Sequence, residues 1–127
     1  MSKATFGFSK AEKLKSRKQI ALLFSTGRRF TQTPYQVCFL SSKTQPGIMV
    51  GFGVSNRNFK KAVDRNRIKR LGREAYRLSK QILVERAATT QTGLSVFFIY
   101  TARELPKFEE VLLKMKAILA RLEKECI

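Results

Sequence analysis

The residues best suited to chemistry lie in Asn56–Arg77. This stretch holds nine cations (Arg57, Lys60, Lys61, Arg65, Arg67, Lys69, Arg70, Arg73 and Arg77) against two acids, Asp64 and Glu74. The chemistry such a set supports is anion binding. Arginine presents a planar fork of donors that matches phosphate oxygens two at a time. Solvated basic helices usually mix signs to gain pairs four residues apart. Here the cations crowd one another, and each like-charge pair costs about 0.2–0.5 kcal/mol. A polyanion would relieve that repulsion; an ordinary solvated face would not. Asn66 sits among these cations. Its amide both donates and accepts, so it can read a ribose hydroxyl or a base edge, or it can bond locally to backbone or to Asp64.

Groups that would cut RNA are scarce. The 127 residues include no histidine, and the nine acids are scattered, with no pair spaced as in a two-metal cluster. Cys38 and Cys126 lie far apart and outside any C-x-x-C pattern. They read as free thiols in a reducing compartment, with Cys38 acting as a small buried hydrophobe. The balance of 26 basic to 9 acidic residues gives a net charge of +17 and a pI near 10.6. That predicts attraction to polyanions and steep salt dependence. No apolar run approaches the roughly 20 residues of a spanning helix, and the start lacks the apolar core of a signal peptide. The expectation is a cytoplasmic binding protein with no membrane partner. Length and a hydrophobic content of 43% suit a single RNA-binding domain over residues 1–127. Residues 1–12 are expected to be disordered, with Phe6 and Phe8 as a hydrophobic lid or a docking arm.

The elements that must position these groups follow from periodicity. At about 100° per residue, Ile68, Leu71, Ala75, Leu78 and Ile82 form one stripe of a long helix. Arg65, Asn66, Lys69, Arg70, Arg73 and Arg77 fall opposite. Asn58 is the candidate N-cap, the end is expected near Val84, and Ala62 and Val63 project toward the basic side. Upstream, Ser16 and Gln19 have capping-box spacing for a helix over Arg17–Thr26, with Gly27 as a left-handed terminator. Ile20, Leu23 and Phe24 are its apolar face. Tyr35–Leu40 alternates as a strand, Tyr35, Val37 and Phe39 to one side and Gln36, Cys38 and Leu40 to the other. After a turn at Lys43–Gly47 it should pair with Ile48–Val54 as a hairpin. Gly51 and Gly53 share a face there, which fits a bulge, helix packing, or room for a nucleotide chain. Glu85–Gly93 reads as a polar loop and Leu94–Thr101 as a buried strand. Pro106 opens a helix over Lys107–Lys124. The fold class is α+β: a small mixed sheet of about four strands with three helices, in the order α-β-β-(β)-α-β-α.

The run Ala62-Val-Asp-Arg-Asn-Arg-Ile-Lys-Arg resembles the signature of the bacterial ribonuclease P protein family, A-x-x-R-N-R-x-[KR]-R. The core is Arg65-Asn66-Arg67. Compatibility in size, charge and element order extends from about Leu14 to Leu122. One departure is Asn56-Arg57-Asn58-Phe59, where many relatives carry a shorter, glycine-containing lead into the helix. The resemblance implies a left-handed β-α-β crossover through the signature helix. It implies a protein that assists an RNA enzyme rather than a catalyst in itself. The partners implied are ribonuclease P RNA and precursor tRNA, with no protein partner required. Mg2+ would be held mainly by the RNA subunit, and no organic cofactor is implied. Arg57, Lys60, Lys61, Arg65, Asn66, Arg67, Lys69, Arg70 and Arg73 would seat on the catalytic RNA. Ile20, Phe24, Tyr35 and Phe39 would meet the 5′ leader of the precursor, although for Ile20 and Phe24 simple core packing explains the pattern equally well.

Two other classes share part of this profile. A ribosomal or other structural RNA-binding protein would have the same charge and basic helix. A self-sufficient ribonuclease would need a carboxylate–Lys or Lys–Tyr site.

Overall fold

The computed structural model describes residues 17–43 and 47–126. Its elements are α1 (Arg17–Thr26), β1 (Arg28–Gln32), β2 (Tyr35–Ser42), β3 (Gly47–Val54), α2 (Ala62–Ser79), α3 (Gln81–Thr90), β4 (Gly93–Tyr100) and α4 (Phe108–Cys126). The fold class is α+β, as expected. The expectations for Phe6 and Phe8, for residues 1–12, for Ser16 as a cap and for part of the turn before β3 lie outside the described residues.

The most apolar run, β4, takes the middle of the sheet, whose order is β1-β2-β4-β3. β2 lies antiparallel to β4, with Tyr35 opposite Tyr100 and Phe39 opposite Val96. β3 lies parallel to β4, with Ile48 opposite Leu94 and Val54 opposite Tyr100. The expected hairpin between β2 and β3 is therefore wrong. β4 inserts between them, because a strand this apolar gains most where both its faces are covered. β2 forms its hairpin with β1 instead, through Thr33–Pro34. β1 is the additional short strand, and it lies before β2 rather than after β3.

One face of the sheet carries the main core. Tyr35, Val37, Phe39, Ile48, Val50, Val96, Phe98 and Tyr100 pack there against Ile68, Ala75 and Tyr76 of α2, Leu83 and Ala87 of α3, and Val111, Met115, Ile118, Leu119 and Leu122 of α4. The other face is covered in part by α1, where Leu23 and Cys38 are buried with Ile20, Phe24, Leu40, Met49 and Phe97 around them.

The helices differ from expectation in four respects. The long helix stops at Ser79, and a separate helix, α3, occupies most of the segment expected as a polar loop. α3 is held by Leu83 and Ala87 in the core, and its left-handed terminator is Gln91, at φ 55°. The buried face of α2 is Ile68, Gly72, Ala75 and Tyr76; of the predicted stripe, Ile68 and Ala75 are buried and Leu71 half-buried, whereas Leu78 and Ile82 are 46% and 66% exposed. Asn58 does not cap α2: its side-chain amide donates to the Thr101 carbonyl at 2.9 Å, and the N-cap position is Lys61. Gly27 ends α1 without a positive φ. Its reason is space, since a Cβ there would stand 2.5 Å from the Leu23 carbonyl oxygen and 2.8 Å from that of Phe39.

Candidate nucleic-acid interface

α2 lies on the helical side of the molecule with its small and apolar residues toward the sheet. Val63, Asn66, Arg70, Arg73 and Arg77 recur at alternating steps of three and four on the side away from Ile68, Gly72 and Ala75. Asn66, Arg67 and Arg70 are exposed, and Lys69 and Arg73 are half-buried. From Asn66 to Arg77 this ridge runs about 16 Å at 1.5 Å per residue. Arg57, Lys60 and Lys61 are exposed on the segment that leads into its N-terminal end. The structure thus brings the predicted cations onto one helix and its lead-in.

Two members of the predicted face are engaged within the protein. Arg77 forms a two-pronged ion pair with Glu74, its Nε donating to Oε1 at 3.1 Å and its Nη2 to Oε2. That hydrogen bonding holds the Glu74 carboxyl below its usual range. Arg65 does not point opposite the core with the others. Its Nη1 donates to the carbonyl oxygens of Phe59 and Lys60, at 2.8 Å each. Three residues before Ile68, Arg65 falls only about 60° from it around the helix, which turns its side chain back along the lead-in.

On the opposite side of the sheet, α1 and β1 border a hollow of about 230 Å³ lined by Phe24, Arg29, Gln36, Cys38 and Ile99. Phe24 meets Phe97 edge to face, ring centroids 5.3 Å apart. Arg29 reaches over Phe24, with its guanidinium 5.9 Å from the ring centroid and Nη2 donating to the Phe24 carbonyl at 2.7 Å. The Cys38 thiol donates to the Leu23 carbonyl at 3.3 Å, and burial raises its pKa against the opposing charge of Arg29. The hollow therefore combines an aromatic wall, a cation and the Gln36 amide, which suits a nucleotide chain.

Only part of the predicted leader set lies here. Ile20 and Phe24 are half-buried on this face, so each packs under α1 and still presents surface. Tyr35 and Phe39 do not reach it. They point into the main core, 1% and 3% exposed, on the face closed by α2 and α4. Alternation along β2 separates two faces but carries no label for the one that helices cover. The residues that do line the hollow from the strands are Arg29, Gln36, Cys38 and Ile99, with Phe97 against Phe24. Their signal was available, since Gln36 and Cys38 form the other phase of the same alternation. Gly53 leaves no open room for a nucleotide: a Cβ there would be 2.8 Å from the Phe97 ring, which fills the space.

Among the described residues, no three His, Cys, Asp or Glu come together as a metal site. No helix among them is long and apolar enough to cross a membrane.

Comparison with known proteins agrees with this architecture. The family model for ribonuclease P matches residues 8–123. A ribonuclease P protein component from Porphyromonas gingivalis is 37% identical over 123 residues, covering 95% of this chain and 90% of the relative. One from Chlorobium phaeobacteroides is 35% identical over 112 residues, covering 79% and 77%. Two solved structures share the fold. The RNase P protein from Thermotoga maritima has a TM-score of 0.70 at 24% identity, over 87% of this chain and 96% of that one. The Staphylococcus aureus RNase P protein has a TM-score of 0.69 at 18% identity, over 89% and 96%. With a family model matching nearly its whole length, the chain belongs to the ribonuclease P protein family.

Proposed function

We propose that this chain is the protein component of a bacterial ribonuclease P, an accessory subunit in the endonucleolytic removal of the 5′ leader from precursor tRNA. The observation that carries the proposal is the family match over residues 8–123, in a chain whose matched region includes a cationic ridge turned away from the core. The RNA subunit does the chemistry and holds the magnesium it needs. The protein's part is electrostatic and geometric. Two RNAs that must meet repel through their phosphates, and a chain of net charge +17 between them screens that repulsion and releases counterions.

In this reading α2 seats on the catalytic RNA through Asn66, Arg67, Lys69, Arg70 and Arg73. Arg57, Lys60 and Lys61 sit at its mouth, and Arg65 belongs to the same cluster. The hollow beside α1 takes the leader of the precursor, with Ile20 and Phe24 as apolar contacts and Phe97, Arg29 and Gln36 beside them. Holding the leader favours precursor over mature product and lowers the magnesium requirement. The work is cytoplasmic, where precursor tRNA is found.

Cleavage of a 5′-extended precursor tRNA at low magnesium tests this. Three reactions are compared: protein alone, a bacterial ribonuclease P RNA alone, and both together. Activity only in the mixture, releasing an intact leader, is the expected result. Cleavage by protein alone would indicate a protein-borne ribonuclease. Tight RNA binding without stimulation would indicate a structural RNA-binding protein.

A further inference from the structure

The segment between β3 and α2 carries Arg57, Lys60 and Lys61, and it is fastened at several points. The backbone amides of Asn58 and Phe59 both donate to the Ser55 carbonyl, at 3.2 and 3.1 Å. The Arg57 amide donates to Ser55 Oγ at 3.2 Å. The Asn58 side chain bonds the Thr101 carbonyl at 2.9 Å. Phe59 is buried at 7% exposure, its ring 6.1 Å from that of Tyr100. These contacts fix the segment up to Phe59, and the amides of Asp64 and Arg65 hold the Lys61 carbonyl at 3.2 Å each, which leaves Lys60 between the two sets of bonds. Lys61 occupies the N-cap position in an extended conformation with no side-chain cap bond. A further fastening is Arg65 Nη1, which donates to the carbonyl oxygens of Phe59 and Lys60 at 2.8 Å each.

We infer that Arg65 is a positioning residue: its guanidinium clamps the Phe59 and Lys60 carbonyls and so holds Lys60 and Lys61 in place for phosphate, rather than making the principal phosphate contact itself. Two successive carbonyl oxygens turned toward one point repel unless a cation lies between them. A charged donor shared by both holds them together more firmly than neutral bonds would. Arg67, two residues on, is exposed. The Arg-Asn-Arg core therefore divides its labour, its first arginine facing the protein's own backbone and its second facing outward. The inference rests on the RNA-seating role proposed for α2.

The two roles differ in what salt does. Removing a direct phosphate contact lowers the log–log salt slope of binding by roughly 0.7–0.9. Loosening a segment that re-forms on binding lowers affinity at every salt concentration and leaves most of the slope. Arg65→Ala, Arg67→Ala, Lys60→Gln/Lys61→Gln and Arg65→Ala/Lys60→Gln/Lys61→Gln would be compared in binding to a bacterial ribonuclease P RNA across a salt series. Circular dichroism would confirm folding, and amide hydrogen exchange would be followed across residues 57–62 of each free protein.

The expected result for Arg65→Ala is about tenfold weaker binding, a slope loss less than half that of Arg67→Ala, and faster exchange confined to residues 57–62. Its effect should largely vanish when Lys60 and Lys61 are already replaced. A slope loss equal to that of Arg67→Ala, with effects additive to the lysine replacements, would overturn the inference. So would unchanged exchange in residues 57–62. If Arg67→Ala also leaves binding untouched, the RNA-seating role of α2 fails, while faster exchange in Arg65→Ala would still support the clamp.

Discussion

The Tyr35 hydroxyl lies 3.2 Å from the point where a Cβ on Gly72 would stand, and the Phe52 ring is nearer still, at 3.0 Å. Here α2 comes down onto the sheet, and the approach depends on a missing side chain. Gly72→Ala would gain about 1 kcal/mol of helix propensity. Against that, it drives a methyl group into two aromatic side chains, an overpacking that costs about 1–3 kcal/mol. A lower thermal midpoint by circular dichroism is the expected outcome, with partial recovery in Gly72→Ala/Tyr35→Phe. A higher midpoint in the single variant would show that the rings yield freely.

The same hydroxyl is buried without a hydrogen-bond partner. Tyr35→Phe should therefore stabilise the protein, by about 1 kcal/mol. Burial also pushes the Tyr35 phenol up from its ordinary value of 10.0, with the charge of Tyr100 adding to the shift. The sign follows from proton binding. The folded protein holds this proton more tightly than the unfolded chain, so the contribution is intact below about pH 10 and is lost as pH rises beyond it. Denaturant midpoints at pH 9 and pH 11 should fall steeply for the native sequence and less steeply for Tyr35→Phe. Equal falls would remove Tyr35 from the alkaline transition.

Phe24, backed edge to face by Phe97, forms the aromatic wall of the hollow beside α1. Stacking of a base on such a ring contributes about 1–3 kcal/mol. Phe24→Ala should weaken binding of a leader-bearing precursor to the assembled ribonucleoprotein by roughly tenfold. Mature tRNA, which has no leader, should bind nearly as before. Equal loss for both RNAs would place the defect in folding, which Phe24 also supports through Leu23 and Cys38.

Arg70 and Arg73 share the outward ridge of α2. Replacing both with alanine should lower the salt slope for binding ribonuclease P RNA by roughly 1.4–1.8, the sum of two phosphate contacts. Arg77→Ala should lower it less, because Arg77 is already paired with Glu74. A slope unchanged in the Arg70/Arg73 variant would remove this ridge from the RNA interface.

Much of this was legible in the sequence. α4 and β4 follow directly from their apolar periodicity, and α1 has the bounds that its pattern predicts. Arg65, Asn66, Arg67, Lys69, Arg70 and Arg73 fall on one helix, and Arg57, Lys60 and Lys61 on its lead-in. What escaped has identifiable causes. α3 offers only a short stripe, since it buries just Leu83 and Ala87 with Val84 beside them. β1 is polar apart from Phe30, and it is a strand because it pairs with β2. The misplacement of Tyr35 and Phe39 reflects the symmetry of alternation, which names two faces without distinguishing them. The helical-wheel reading sets Arg65 opposite the apolar stripe, which its angle to Ile68 does not support. Its position around the helix already placed it near Ile68, and only the carbonyl contacts explain what it does there.

The order of strands has a consequence for how the chain is made. β4 is the last strand in sequence among the described residues, yet it lies between β2 and β3, and among those residues β3 has no other strand beside it. As the chain leaves the ribosome, the β1–β2 hairpin can form early. β3 and the whole of α2 emerge before the strand that seats them. Parallel pairing of β3 with β4 must then close across the intervening helices, a long-range step that comes late in folding. Until Tyr100 has been synthesised, α2 lacks the strand that seats it, and its apolar face is exposed together with its cations.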